Sequence, residues 1–242
     1  MDLIFKRSEF EAVVREQLSV FDRPLTEEDA AAVTHLDLSE FSFADEDIDI
    51  LCLFRNLKSL SIEIGQTSAA FWRHFNYLED LYLICLGNYV DFRYFENMKD
   101  LTSLVVSGGD YSGIDFLNSQ ALLPLKHLEE LILHEFGHVD IQPLTSMPQL
   151  KNLGLHYADY VSNIEVIGTM AQLESLTLVD IEAEYLDFLD CLPNNLRLEM
   201  CGIRVYNTVD PKKWRRFAEH NISEITTADN PYEYIDLSEL YA

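Results

Sequence analysis

The sequence predicts an α/β solenoid, a stack of similar units that each supply one short strand and one short helical segment. The frame L-x-x-L-x-L, with mostly aliphatic residues at its three apolar positions, recurs along the chain, and successive copies begin 20 to 29 residues apart. Within each frame apolar and polar residues alternate, which is typical of a strand with one buried face. One such unit cannot bury its own apolar side, whereas stacked copies form a continuous core.

Seven clear frames and two degenerate ones place the strands. The clear frames begin at residues 33, 57, 78, 101, 128, 150 and 173, and the degenerate ones are PNNLRL at 193 and ISEITT at 222. Segments with helix-like apolar spacing, such as SAAFWRHF and NIEVIGTM, lie between the frames. We assign about eight repeats to residues 33–205, with a parallel sheet on one side and short helices on the other.

Residues 206–242 are predicted to close one end of the stack with a helix, a short strand and a tail. Asp210 suits the N-cap position and Pro211 the first helical position, while Trp214 and Phe217 are expected to face the core. The same segment carries a basic cluster that either binds a partner or pairs with neighbouring carboxylates: Lys212, Lys213, Arg215 and Arg216.

The charge balance is strongly acidic. Lys and Arg total 17 against 42 Asp and Glu, which leaves a net charge of −25. Such a surface repels nucleic acids and anionic membranes, and it favours a basic protein partner. No segment reaches the roughly 18 uncharged apolar residues of a membrane span, the N-terminus lacks a signal-peptide pattern, and the four cysteines lack C-x-x-C spacing. We therefore expect a cytoplasmic monomer with reduced thiols and without a cofactor.

The repeats resemble those of leucine-rich repeat proteins. Residues 128–150, LEELILHEFGHVDIQPLTSMPQL, are similar to the bacterial internalin-type repeat, including its D-I-x-P-L turn at Asp140 to Leu144. The resemblance implies a right-handed solenoid, with the parallel sheet on its concave face and short helices and turns on its convex face, and a role in protein–protein interaction. Residues 1–32 resemble the helical N-terminal cap of this family, and Thr26 with Asp29 fits a capping box. All three regions would form one structural domain.

The chain departs from this family at the ninth position of the repeat. The family usually places Asn there, and the stacked amides bond backbone groups of neighbouring repeats. The residues found there instead are Phe41, Gly65, Leu86, Gly109, Phe136, Ala158, Ile181 and Cys201. We therefore predict an irregular solenoid that apolar packing holds together.

The outward strand positions predict a protein-binding surface on the concave sheet. Tyr82, Ile84, Val105 and Ile132 form an apolar middle between charged ends, as a protein interface requires. The frame at 193 places Arg197 in the row of Tyr82, and Glu199 in the row of His134. A loop or a second protomer covering this face is the alternative. The predicted binding residues are Asp37, Glu63, Asp80, Tyr82, Ile84, Val105, Glu130, Ile132, His134, His156, Arg197 and Glu199.

The segment His134-Glu135-Phe136-Gly137-His138 matches the zinc-peptidase motif H-E-x-x-H. That motif works on a helix, where two His four residues apart reach one ion while the Glu activates a water. Here the repeat frame predicts a strand that ends in a turn at Gly137, and no third ligand follows at protease spacing. We therefore predict no catalysis, and a zinc-dependent hydrolase is the alternative. His156 falls beside His134, so the pair could hold a metal or respond to pH.

Overall fold

The computed structural model describes residues 1–65, 69–86, 92–108, 119–183, 187–193, 195–205, 225–227 and 230–235. Two helices, α1 (Ser8–Leu18) and α2 (Glu27–Ala32), precede the first strand. The predicted capping box is confirmed, because Thr26 Oγ1 accepts from the Asp29 N–H at 3.3 Å and the Asp29 carboxylate accepts from the Thr26 N–H at 2.8 Å. Hydrogen bonds from Arg23 and Thr26 lower the pKa of the Asp29 carboxyl, which keeps this cap ionised.

The predicted parallel sheet is confirmed by eight strands that lie side by side. Their order is β1-β2-β3-β4-β5-β6-β7-β9, and every neighbouring pair is parallel. The strands are β1 (His35–Phe43), β2 (Ser59–Ile64), β3 (Asp80–Cys85), β4 (Ser103–Ser107), β5 (Glu130–Asp140), β6 (Asn152–Ser162), β7 (Ser175–Val179), β8 (Glu182–Ala183) and β9 (Arg197–Cys201), of which β8 lies outside this sheet.

The opposite, convex side carries the short helices that the apolar spacing predicts. This side contains one four-residue α-helix, α3 (Ile48–Leu51). The other elements on it are short helical turns with three residues per turn: Asp45–Asp47, Ala69–His74, Phe92–Asn97, Ser119–Leu122, Gln142–Ser146, Ile164–Thr169 and Asp187–Cys191. Their aromatic and aliphatic side chains meet the buried face of the sheet in one continuous core. Among the described residues, no helix is long and apolar enough to cross a membrane.

A second, small sheet combines two strands from the last two repeats with two strands that follow them. Strands β10 (Ile203–Val205), β11 (Ile225–Thr227) and β12 (Asn230–Ile235) join β8 in the order β12-β11-β10-β8, with β12 antiparallel to β11. The strand predicted from the frame at 222 is therefore present. The predicted capping helix, with Asp210, Pro211, Trp214, Phe217 and the basic cluster of Lys212, Lys213, Arg215 and Arg216, lies outside the described residues.

The register of the last strand corrects the sequence prediction by two residues. Arg197 pairs with Ser175 and Glu199 pairs with Thr177, so Glu199, not Arg197, lies in the row of Tyr82. The apolar positions of this repeat are Leu196, Leu198 and Met200, all buried, with one residue fewer than usual between the first two. Because the sequence prediction kept the frame length constant, it assigned the first apolar position to Pro193.

A left-handed residue follows the strand frame in four successive repeats. Glu135, Tyr157, Asp180 and Gly202 all stand two residues after the third apolar position and have φ of 62°, 55°, 46° and 66°. The next residue in each case points into the core: Phe136, Ala158, Ile181 and Ile203. Ile203 therefore replaces Cys201 at the ninth position of the last repeat. A non-glycine residue in this conformation costs about 1 kcal/mol or more, which core burial of its neighbour offsets.

Candidate functional site

The concave face is the side of the main sheet that faces away from the core. Tyr82, Val105 and Ile132 lie directly opposite one another on three neighbouring strands, and Ile84 stands two residues beyond Tyr82. Because these four residues are neighbours on adjacent strands and none of their side chains is buried, they form one contiguous, solvent-accessible apolar patch. The predicted apolar middle of this surface is therefore present in the folded chain.

Charged side chains border this patch. Asp80 and Glu130 lie one row away on the strands of Tyr82 and Ile132, and the Ser103 hydroxyl donates to the Glu130 carboxylate at 2.6 Å. Asp37 and Glu63 occupy β1 and β2, while Arg197 and Glu199 occupy β9. All twelve predicted residues thus lie on the concave face, and their role in binding stays a prediction.

Sequence reasoning missed a hollow of about 460 Å³ on this face. It opens at Gly154, which has no side chain in the row that Ile132 and Thr177 occupy on either side. A Cβ atom at Gly154 would lie 3.2 Å from side-chain atoms of both Ile132 and His156, so those neighbours lean over it. A glycine in an outward row was the available signal.

His156 lines this hollow and forms an edge-to-face pair with His134 on the neighbouring strand. Their ring centroids are 5.7 Å apart, and the Tyr157 ring lies 4.9 Å from His134. His134 Nδ1 and His156 Nε2 are shielded from solvent, and no described residue forms a hydrogen bond with either of them. The Glu135 carboxylate is 3.7 Å from His134 Nδ1, too far for a hydrogen bond. On the concave face of the described chain, these two nitrogens are therefore buried side-chain polar atoms that lack a hydrogen bond.

The H-E-x-x-H segment lies on a strand, not a helix. β5 continues through Gly137 to Asp140, so the turn predicted at Gly137 is wrong; the left-handed Glu135 bends the strand instead. His138 contacts the Tyr160 ring at 5.0 Å and the Ser162 hydroxyl at 3.0 Å, whereas His134 contacts His156. Within the described ranges, no three His, Cys, Asp or Glu side chains are grouped to hold a metal ion.

The His pair predicts a pH-dependent stability. Burial, then the neighbouring His134, lowers the pKa of His156 from 6.5, with Glu199 opposing both. The folded chain binds a proton at His156 less readily than the unfolded chain does. Protonation of His156 therefore does not reduce the free energy of unfolding above about pH 6.5, and it reduces this free energy increasingly as the pH falls from there towards the lowered pKa. Replacing His156 by Gln should remove this loss. Thermal unfolding of both proteins at about pH 7.5 and 5.5 measures it. A wild-type melting temperature that falls no more than that of His156→Gln would contradict the prediction.

Eight parallel strands, each followed by a turn or short helix, and a buried aliphatic frame in every repeat define the leucine-rich repeat fold. The chain is similar to internalin C2 from Listeria monocytogenes, with a TM-score of 0.67, 16% identity and coverage of 93% of this chain and 95% of that one. It is also similar to the internalin InlF of that bacterium, with a TM-score of 0.59, 16% identity and coverage of 98% and 80%.

A plant structure shares the fold as well. The peptide hormone receptor RGFR1 in complex with RGF2 gives a TM-score of 0.51 and 14% identity, over 80% of this chain and 36% of that one. No protein-family model and no curated protein matches the sequence. At these identities the similarity shows the fold, and the function has to be argued from the surface of this chain.

Proposed function

We propose that this chain is a non-catalytic protein-binding module that holds its partner on the concave face. The observation that carries the proposal is the contiguous patch of Tyr82, Ile84, Val105 and Ile132, bordered by Asp80 and Glu130. An exposed apolar centre with a polar rim is the arrangement of protein interfaces. Tyr82 is the expected anchor, because tyrosine combines a large apolar area with a hydroxyl and is frequent in interface hot spots.

The partner that fits this surface is basic. Carboxylates stand on β1 and β2 at one end of the patch and on β3 and β5 along one side of it, while β9 carries one carboxylate and one arginine. The chain as a whole carries a net charge of −25. Such a field attracts a positively charged protein and accelerates its association at low salt. The plant peptide hormone receptor RGFR1, which shares the fold and was solved in complex with RGF2, supports a binding role in general and does not bear on the charge of the partner.

Replacing the centre of the patch should abolish capture of the partner. In Tyr82→Ala/Ile132→Glu the anchor is lost and a charge is placed in the apolar middle. Because hot-spot truncations cost about 2 kcal/mol or more, we expect partner affinity to fall more than roughly 30-fold. The measurement is pull-down from lysate of the source cells with wild-type and variant chains, followed by titration with the protein identified.

Tyr94→Ala is the matched control, because Tyr94 is exposed to the same degree as Tyr82 but lies on the convex side. It should capture what the wild type captures. Capture of the same proteins by all three chains would contradict binding of the partner at the concave face.

For a basic partner, the dissociation rate should change little with salt, whereas association should slow as the salt concentration rises from about 0.05 to 0.5 M.

A further inference from the structure

The flank of the solenoid beside the end of β6 contains a second hollow, of about 470 Å³. β6 ends at Ser162, the chain turns at left-handed Asn163 (φ 60°), and the helical turn Ile164–Thr169 then lies against Asp187–Cys191. We call this space the flank hollow; it is lined by Tyr160, Val161, Ile164, Glu165, Asp187 and Phe188. It belongs to neither the concave face nor its His pair.

We propose that the flank hollow binds one cationic side chain, an arginine or a lysine, presented by a protein partner. This inference rests on the proposed function only in taking the cation from a protein. A basic segment that leaves the concave face over β5 and β6 would reach the flank hollow, since Tyr160 lies four residues beyond His156 on β6, near the C-terminal end of this strand.

The first argument for a cation is the aromatic wall. Tyr160 rests against His138, with ring centroids 5.0 Å apart, and is nevertheless 45% exposed. Because His138 contacts the Tyr160 ring on one side and the ring is still exposed to solvent, part of its surface is available to a ligand. An ammonium or guanidinium group within about 6 Å of such a face is attracted by the ring quadrupole.

The second argument is the contrast between the floor and the rim. Val161, Ile164 and Phe188 present apolar surface at the base, which suits the methylene stem of Lys or Arg. Glu165 lines the same hollow and is exposed, and Asp159 is exposed beside Tyr160. Within the described part of the chain, no Lys, Arg or His forms an ion pair with either of these two carboxylates. An anionic ligand would meet repulsion here, whereas a cation would be attracted by both carboxylates.

Titration with capped amino acids tests the proposal on the full chain. The probes are N-acetyl-arginine methylamide and its neutral analogue of the same shape, N-acetyl-citrulline methylamide. Ring signals of Phe188 are followed by NMR, so that the readout survives replacement of Tyr160. We expect saturable shifts with the arginine probe and at least roughly three-fold weaker binding of citrulline, because only the former carries a charge.

Variants of the wall and the rim separate cation binding from general apolar adsorption. Tyr160→Leu and Glu165→Gln should each weaken arginine binding by roughly two- to five-fold, whereas Tyr160→Phe should retain it, because the ring face remains. Tyr94→Leu, at a tyrosine 38% exposed on the convex side, should bind like wild type and serves as the matched control.

Equal binding of citrulline and arginine, or wild-type binding by Tyr160→Leu, would overturn the proposal. Tyr82→Ala/Ile132→Glu should bind the arginine probe normally, because it leaves the flank hollow intact. Failure of the flank hollow and failure of the concave face therefore give different results: the first is seen in the probe titration, the second in partner capture.

Discussion

Phe136→Asn should lower the free energy of unfolding by about 4 kcal/mol, even though Asn is the residue usual at this repeat position in the leucine-rich repeat proteins that the chain resembles. Phe136 is fully buried and stands opposite Ala158 on the next strand. The replacement removes most of a large apolar side chain and buries an amide. The following repeats supply Ala158 and Ile181 at this position, so no column of amides exists for the new side chain to join. Urea denaturation with an unchanged m-value is the measurement.

Two variants make the result specific. Phe136→Leu keeps the position apolar and should cost only about 1 kcal/mol, because a large aliphatic side chain refills much of the space. Phe21→Asn changes the same residue type at an exposed site and should stay within about 0.5 kcal/mol of wild type. If Phe136→Asn were as stable as Phe136→Leu, backbone groups would be available to the amide, and apolar packing would not be what holds these turns together.

The fold was predictable because its information is local and repeated. Apolar and polar residues alternate within the frames, which predicts a strand in each, and a period of 20 to 29 residues leaves room for only a turn or short helix between strands. The capping box at Thr26 and Asp29 was predictable for the same reason, since both partners lie within one helical turn. The outward row of Tyr82, Val105 and Ile132 followed directly from the frame.

Features that depend on neighbouring repeats were not predictable. The left-handed residues Glu135 and Tyr157 carry side chains that give no signal of positive φ, and only the demand for a buried next residue imposes it. The shortened frame at Leu196 was misassigned because its register depends on pairing with β7. Gly154 was visible in the sequence, but the hollow around it is lined by residues of β5, β6, β7 and β9 together, which no single repeat encodes.

Loss of the Arg7 side chain should be as costly as loss of a core aromatic residue, with Arg7→Met lowering the free energy of unfolding by about 3–5 kcal/mol. Arg7 Nη1 donates to the Asp47 carboxylate at 2.7 Å and to the Ser42 carbonyl at 2.9 Å, and its guanidinium lies 4.7 Å from the Phe41 ring centroid. Asp47 is only 1% exposed, and its Oδ1 has no hydrogen-bond partner. Without Arg7, the Ala44 N–H would be the only donor left to this buried carboxylate among the described residues.

A double-mutant cycle distinguishes this explanation from simple loss of packing. Arg7→Met/Asp47→Asn should recover at least half of the lost stability, because it removes the buried charge together with its partner. Lys6→Met is the matched control: the neighbouring Lys6–Asp49 pair is 3.0 Å apart but 54% and 79% exposed, and should contribute less than about 1 kcal/mol. Equal losses from Arg7→Met and Lys6→Met would show that burial of Asp47 does not decide the cost. The larger loss at Arg7 would instead show that this buried ion pair, which joins the start of α1 to the turn after β1, stabilises the attachment of α1 together with the packing of Phe10 on Phe41.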